Sequence, residues 1–281
     1  MRSRAPVLRV TIAGVNVVSI SAFVTLASIQ GGLVALPRSL AFHSLSRLRS
    51  PLWALVGPGS LLVGTFGVLA VPSLATGLAV LAVVATPVLA SIAVVAVVHG
   101  GRPLLLLVPL ALGAVAIAGT GLAAQLTASL LTALGCLTLG AAFARLTPGS
   151  WLQLGVLSMA AVDVLLLALG VGQPAAALLA HAVDGVGPAF HRAQLGSMSQ
   201  DYPDLVLAAV VGGVVAGRPI QPRAALLVAV LSIVNGGLLA FADIVPATVA
   251  PMLVLALVEW MPRLRMRPVR VRVPIARPQE G

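Results

Sequence analysis

Acidic side chains are the groups in this sequence best suited to chemistry, because the 281 residues contain only seven of them. Asp163 stands inside the apolar stretch 151–170, which is long enough to cross a bilayer as a helix. Counted from Ser150, it lies roughly 20 Å along that helix, since each residue adds about 1.5 Å. That places it within a hydrocarbon layer about 30 Å thick, where a carboxylate costs on the order of 2.5–3.5 kcal/mol. We therefore expect Asp163 to serve chemistry or transport.

A second acid, Asp204, begins a later apolar stretch, and Asp201 lies one turn before it. If the two helices pack together, Asp204 can face Asp163. Two carboxyl groups in a half-dry site do not both ionise easily, so they share a proton. The ionised group can take a proton from water while the neutral group polarises a peptide carbonyl, which is aspartic-protease chemistry. Such a pair is also typical of proton-coupled transport. Asp201 is the alternative second acid.

Other hydrolytic chemistries are not predicted. The sequence has no H-E-x-x-H motif for zinc. Its single cysteine, Cys136, has no histidine in its own apolar segment, and all four histidines lie at segment ends or in connections. We therefore expect neither a metal site nor a cofactor.

The composition is that of a helical membrane protein. The chain is 59% hydrophobic and 9% charged, with a mean hydropathy of +1.10, and a soluble protein needs far more surface charge. The net charge is +10, and all seventeen basic residues are arginines that lie between or after apolar segments. Such arginines set topology and contact anionic headgroups, so we expect a lipid bilayer and not nucleic acid as their partner. Arginine without lysine indicates a GC-rich bacterial genome, and hence a bacterial cell membrane.

Nine apolar segments predict an all-α, polytopic transmembrane bundle of about nine spans. They cover residues 10–36, 52–71, 73–98, 103–118, 120–143, 151–170, 201–217, 224–242 and, for the ninth, about 246–260. The first is interpreted as a retained helix, because it is too long for the core of a signal peptide. The break at Gly119 is weak, so the fourth and fifth segments are alternatively one kinked helix with a re-entrant piece.

The distribution of arginines predicts the orientation. With nine spans, thirteen arginines fall on the side that holds the C-terminus and four on the other side. Cytoplasmic loops carry the excess of positive charge. We therefore expect an integral, multi-pass protein with its C-terminus in the cytoplasm and its N-terminus outside.

The order of these features resembles the intramembrane aspartyl proteases, the presenilin and signal peptide peptidase group. That group has nine spans, a catalytic Asp in the sixth, a second in a G-x-G-D motif in the seventh, and a P-A-L motif that opens the ninth beside the active site. Asp163 and Asp204 match the two acids, and Pro246, Ala247 and Thr248 are similar to P-A-L. The resemblance implies a presenilin-like arrangement, a catalytic pair of Asp163 and Asp204, and substrate binding by residues 246–248.

The same resemblance implies an enzyme that hydrolyses peptide bonds in transmembrane or signal-peptide helices. Residues 1–149 would be N-terminal scaffold helices with about five spans, and residues 150–261 would be the catalytic helices, spans six to nine. Residues 262–281, with six Arg among prolines, would be a disordered tail near anionic headgroups. The predicted orientation is that of the signal peptide peptidase branch.

The chain also departs from the pattern of that group, and the match is confined mainly to residues 150–260. Asp201 and Pro203 stand where the two glycines of G-x-G-D would be, and Thr248 replaces the Leu of P-A-L. Val162 precedes the first acid where the group has Tyr. These departures predict a divergent member.

Two other functions remain open from the residues alone. A proton-coupled transporter or permease would protonate Asp163 and would need a polar path. That path would be lined by Asn16, Gln30, Gln125 and Asn235. A non-catalytic scaffold would instead satisfy Asp163 with a neighbour in the bundle, such as Ser158 or Asn235, and would leave Asp204 more than about 10 Å away.

Overall fold

Helices make up most of the chain in the computed structural model, which describes residues 17–38, 42–98, 103–184, 187–196, 198–238 and 248–265. The α-helices of these residues are α1 (Val17–Ala35), α2 (Val56–Ala70), α3 (Ser73–Ile92), α4 (Leu107–Ala118), α5 (Gly121–Leu146), α6 (Gly149–Ala168), α7 (Gly172–Asp184), α8 (Tyr202–Val215), α9 (Gln221–Leu238) and α10 (Val249–Arg265). Two short strands, β1 (Arg192–Leu195) and β2 (Met198–Asp201), lie between α7 and α8. The predicted helical bundle is confirmed, and the strands are an addition to it.

Four helical stretches of the described residues are long and apolar enough to cross a membrane. They are Pro51–Ala70, Ser73–Val98, Gly121–Leu146 and Gly149–Ala168. Turns of 3₁₀-helix over Pro51–Leu55 and π-helix over Ala93–Val98 extend α2 and α3 to these lengths. Five shorter apolar helices lie where the remaining predicted segments were placed.

The break at Gly119 separates two helices, so the alternative of one kinked helix is wrong. The backbone of Gly119 is extended, with ψ 168°, and Gly121 has a positive φ of 66°, which glycine adopts without strain. A Cβ atom on Gly119 would lie 2.4 Å from the carbonyl oxygen of Val115. The chain therefore needs glycine at this turn between α4 and α5.

Helix α5 is the centre of the bundle, and α8 passes between it and α1. Small residues make this close approach possible. A Cβ atom on Gly140 of α5 would lie 2.4 Å from Cβ of Ala209, and one on Gly212 of α8 would lie 2.3 Å from the carbonyl oxygen of Leu33. Small residues at helix contacts let backbones approach, which is the usual way helices associate in lipid. The position of α8, and of the acid in its first turn, depends on these glycines.

Helix α1 also packs along α9, and one glutamine joins their ends. The side-chain amide of Gln221 donates to the carbonyl oxygens of Val34, Ala35 and Pro37 at 3.1, 3.0 and 3.0 Å. The carbonyls of Val34 and Ala35 lack partners within the helix because they lie in the last turn of α1, and Pro37 lies just after it. The pairing of α1 with α9 is therefore fixed by both packing and hydrogen bonds.

The strands form an antiparallel hairpin in which Arg192 is opposite Asp201 and Ala193 is opposite Gln200. Polar side chains of α5 hold this hairpin. Ser129 Oγ accepts the Gln194 N–H at 2.8 Å, and Gln125 Oε1 accepts the Gly196 N–H at 2.8 Å. The hairpin therefore stands against the central helix and leads directly into α8.

We expect Gly140→Val to destabilise the protein, because the new side chain would overlap Ala209 in the contact between α5 and α8. Overpacking a close contact costs about 1–3 kcal/mol. The matched control is Gly77→Val in α3, since a Cβ atom there meets nothing within 4 Å. Thermal unfolding in detergent should show a lower melting temperature for Gly140→Val than for Gly77→Val. Equal melting temperatures would contradict this account of the packing.

Candidate functional site

A cavity of about 480 Å³ lies between α1, α2, α6, α7, α8, α9 and the hairpin. Its volume is within the range of about 300–1,000 Å³ that is typical of ligand sites. Asp163, Asp201 and Asp204 all contribute to its wall. Three of the seven acids of the chain are thus collected in one cavity.

Asp163 lies in the second half of α6 and is half-buried. Its Oδ2 accepts a hydrogen bond of 3.0 Å from the hydroxyl of Thr248. Thr248 is completely buried and immediately precedes α10, a helix that packs against both α6 and α8. The start of α10 therefore holds one carboxyl group of the cavity.

Asp204 lies in the first turn of α8 and is buried, with 8% of its surface exposed. The turn begins at Asp201, whose extended backbone marks the N-cap, and Pro203 suits the first helical positions because it has no N–H to satisfy. The backbone N–H of Asp201 donates to Asp204 Oδ2 at 3.3 Å, which is one half of a capping box. An acid in this turn is also favoured by the helix dipole.

The three acids lie close enough for their charges to interact: Asp204 with Asp201 and Asp163, and Asp201 with Asp163. Arg192, directly across the hairpin from Asp201, provides the opposing positive charge. Asp201 is exposed at the wall of the cavity. Partial desolvation by the surrounding protein raises the pKa of Asp201, the charge of Arg192 opposes the rise, and the charge of Asp163 adds to it.

The structure thus brings together three residues that the sequence singled out, Asp163, Asp204 and Thr248, and also Asp201. Pro246 and Ala247 lie outside the described residues. Thr248 donates a hydrogen bond to Asp163 and so adds a polar contact at this point. The scaffold hypothesis expected a neighbour in the bundle, such as Ser158 or Asn235, to make a contact of this kind.

The proposed polar path for a transporter is only partly present. Gln30 and Asn235 belong to the cavity wall, while Gln125 accepts a hydrogen bond from the hairpin turn at Gly196. Asn16 lies outside the described residues. The side chains that were expected to line one path therefore lie in two different parts of the structure, the cavity wall and the hairpin turn.

Sequence reasoning named Gln30 only for a transport path, did not place it beside the acids, and did not single out Gln200. Gln30 is completely buried and Gln200 is 5% exposed. Among the described residues, Gln30 Nε2, Gln200 Oε1 and Arg192 Nε have no hydrogen-bond partner although all three atoms are buried. Each unsatisfied group of this kind costs about 1–3 kcal/mol. Their residue types were visible in the sequence, but their common location was not.

Within the described part of the chain, no group of three or more His, Cys, Asp or Glu side chains has the arrangement of a metal site. Cys136 is completely buried in α5, and its sulfur lies 4.0 Å from the carbonyl oxygen of Tyr202. It packs beneath the start of α8, which suits a structural role. The polar side chains that line the cavity carry carboxyl, hydroxyl, amide, guanidinium and imidazole groups.

Comparison of the chain with protein-family models, with curated proteins and with solved structures finds no match.

We expect Thr248→Val to lower the free energy of unfolding by about 1–3 kcal/mol, because it removes the hydrogen bond to Asp163 while keeping the shape of the side chain. Thr248→Ser keeps the hydroxyl and should lose less. A double-mutant cycle with Asp163→Leu, measured by equilibrium unfolding in detergent, should give a coupling energy of about 0.5–3 kcal/mol. Simple additivity of the two substitutions would show that the hydrogen bond is not formed.

We expect Asp201→Asn to stabilise the protein at neutral and alkaline pH. A raised pKa in the folded state means that the fold disfavours the ionised carboxyl, so the wild-type protein loses stability as pH rises from the ordinary value of 3.8 through the raised one. Asn removes this charge and is an equally good N-cap. Melting temperatures should differ most at alkaline pH and converge near pH 4. A difference that is independent of pH would contradict the raised pKa of Asp201 in the folded state.

Proposed function

We propose that this protein is an intramembrane aspartyl protease, similar to the presenilin and signal peptide peptidase group, that uses Asp163 and Asp204 as its catalytic pair. The observation that carries the proposal is the placement of both acids in one cavity, within range of each other's charge, with Thr248 hydrogen-bonded to Asp163. These residues lie far apart in the chain, yet they occupy the three positions that the resemblance marks as functional.

The surroundings of the two acids suggest a separate role for each. Asp163 accepts a hydroxyl hydrogen bond and is only half-buried, so it is suited to the ionised form that takes a proton from water. Asp204 is more deeply buried and accepts a 3.3 Å bond from a backbone N–H. It is suited to the neutral form that donates to the peptide carbonyl. Water adds to that carbonyl to give a gem-diol as Asp163 takes a proton from the water. Asp163 then gives that proton to the peptide nitrogen and Asp204 recovers a proton from the gem-diol, so the C–N bond breaks and the nitrogen leaves as an amine.

The proposed substrate is a transmembrane or signal-peptide helix whose end unwinds in the cavity. A helix keeps its backbone groups bonded to one another, so a peptide bond must be freed before water can reach it. The wall of the cavity carries polar side chains as well as apolar ones, including Gln30, Gln173, Ser199, Ser232 and Asn235. This polar wall favours the hydration that both the attacking water and the unwound segment require.

The proposal includes a nine-span topology, with α1 to α6 and α8 to α10 as spans and α7 and the hairpin between the sixth and seventh. All nine are apolar helices, although five are shorter than a full crossing of a membrane. The C-terminus would be cytoplasmic, because thirteen of the seventeen arginines fall on its side of a nine-span arrangement. Residues 150–261 would then form the catalytic helices on the scaffold of residues 1–149.

Proton-coupled transport is the second candidate function. Three interacting carboxyl groups in one cavity, beside Gln30 and Asn235, could also bind and release a proton. In that case Asp163 would be needed for proton movement across the bilayer and no peptide would be cleaved. A scaffold, in contrast, would need neither acid for any turnover.

We expect Asp163→Asn and Asp204→Asn each to lower peptide cleavage at least a hundredfold, since general acid–base groups contribute about 10²–10⁴ in rate. Asp201→Asn should keep at least about a tenth of the activity, because Asn still caps α8. The assay uses purified protein in liposomes with a labelled signal-peptide or transmembrane substrate, and mass spectrometry identifies the products.

The same liposomes, loaded with a pH-sensitive dye, separate the candidate functions. No cleavage by the wild-type protein, together with proton movement that is lost in Asp163→Asn, would favour the transporter. Loss of cleavage in Asp201→Asn with full activity in Asp204→Asn would make Asp201 the second catalytic acid. Absence of both activities would favour a scaffold.

A further inference from the structure

Two amide side chains in the wall of the cavity each hold a hydrogen-bonding atom without a partner. Gln30 of α1 accepts the hydroxyl of Ser232 from α9 through its Oε1, which leaves its Nε2 unpartnered among the described residues. Gln200 of β2 has an unpartnered Oε1 within the same described set. Both side chains are more than nine-tenths buried. The two wall residues thus hold one unpartnered donor and one unpartnered acceptor, both buried in the packing beside the cavity.

Core packing alone does not explain these two unpartnered atoms. A buried polar side chain is normally satisfied, and exceptions in a native structure call for an explanation. An apolar side chain at either position would avoid the loss. Gln30 lies on α1, a helix that carries none of the three acids, while Gln200 directly precedes Asp201 on the hairpin. Both residues line the cavity that holds Asp163 and Asp204.

The free donor and acceptor match the two groups of a peptide backbone. A peptide unit offers one carbonyl acceptor and one N–H donor, and both are available only where the chain is neither helical nor paired in a sheet. The terminal torsion of a glutamine side chain is soft, so a small rotation turns its amide toward a group in the cavity. Gln30 can then donate to a carbonyl, and Gln200 can accept from an N–H.

We propose that Gln30 and Gln200 bind the backbone of an extended peptide segment in the cavity, Gln30 through a peptide carbonyl and Gln200 through a peptide N–H. This inference rests on the proposed function, since it names how the substrate of that site is held. Under this proposal the two glutamines are positioning residues that favour an unwound segment over an intact helix. This preference does not depend on the side chains of the bound segment. The glutamines do not touch the reacting water.

Binding, and not cleavage, provides the test. The probe is a fluorescently labelled transmembrane peptide with a Gly-Gly pair at its centre, and its Kd is measured in nanodiscs with the Asp163→Asn protein, which cannot turn over. We expect Gln30→Leu and Gln200→Leu each to raise Kd about tenfold in this background. The matched control is Gln153→Leu in α6, outside the cavity wall, and it should leave Kd within about twofold.

An ester scan of the probe identifies the backbone contact of Gln200 directly. Replacing one peptide N–H at a time by an ester oxygen should raise Kd about tenfold at one position, and this effect should vanish in Gln200→Leu. The scan on the protein with both glutamines intact is informative by itself, because a Kd that no single ester raises would overturn the proposal without use of the variants. An ester effect that is equal in both proteins at every position would overturn the proposal, as would unchanged Kd values in both glutamine variants.

Failure of this inference differs from failure of the proposed function. If the wild-type protein cleaves peptides but Kd does not change in Gln30→Leu and Gln200→Leu, the protease function stands and the proposed role of the glutamines is wrong. If binding depends on the peptide backbone but no cleavage occurs, the role of the glutamines stands and the protease function is wrong. A lower melting temperature with unchanged Kd would assign the glutamines to stability alone, against the proposal.

Discussion

Close backbone packing around α8 is the constraint on which the rest of the structure depends. Lipid provides no hydrophobic driving force between helices, so association requires contact between small residues and well-placed hydrogen bonds. Gly140 of α5 and Gly212 of α8 provide that contact on opposite sides of α8. Because α8 begins with Asp201, Tyr202, Pro203 and Asp204, its depth in the bundle also sets the depth of the acids.

The position of Asp163 is determined by other contacts than that of Asp204. Asp163 lies on α6, a helix that packs chiefly against α2 and α10 and less against the central α5. Its position relative to Asp204 is therefore linked through α10, which contacts both helices, and through the hydrogen bond from Thr248 to Asp163. A movement of α10 would change this hydrogen bond first. The two acids thus belong to two parts of the bundle, and the start of α10 joins them.

The sequence alone predicted the apolar helices well, because their length and composition are local properties. It also predicted the start of α8, where an N-cap acid and a proline precede a long apolar run. The hairpin was taken as part of a connection, since strands of four residues with the sequences R-A-Q-L and M-S-Q-D have little periodic signal. Its stability comes from Gln125 and Ser129, about 65 to 70 residues earlier, and no local pattern predicts such contacts.

The candidate site shows the same contrast: features set by neighbouring residues were predictable, and contacts between segments far apart in the chain were not. Asp163 was identifiable because a charged residue in a long apolar segment is costly wherever it points. The contact with Thr248 depends on two segments that are 85 residues apart, so the sequence suggested the residue but not the bond. Gln30 and Gln200 gave still less indication, because a single amide near the end of an apolar segment has several ordinary roles. Only the cavity makes them neighbours of the acids.

Stability and function make opposite demands on this cavity. Packing alone would fill it with apolar side chains, as elsewhere around α5, and would leave no carboxyl group or unpaired amide inside. The chain instead places three acids, an arginine and three glutamines there. It compensates with glycine contacts around α8 and with the hydrogen bonds that hold the hairpin and the ends of α1 and α9. Costly polar groups concentrated in one place, within an otherwise apolar bundle, are the expected signature of a site retained for binding or chemistry.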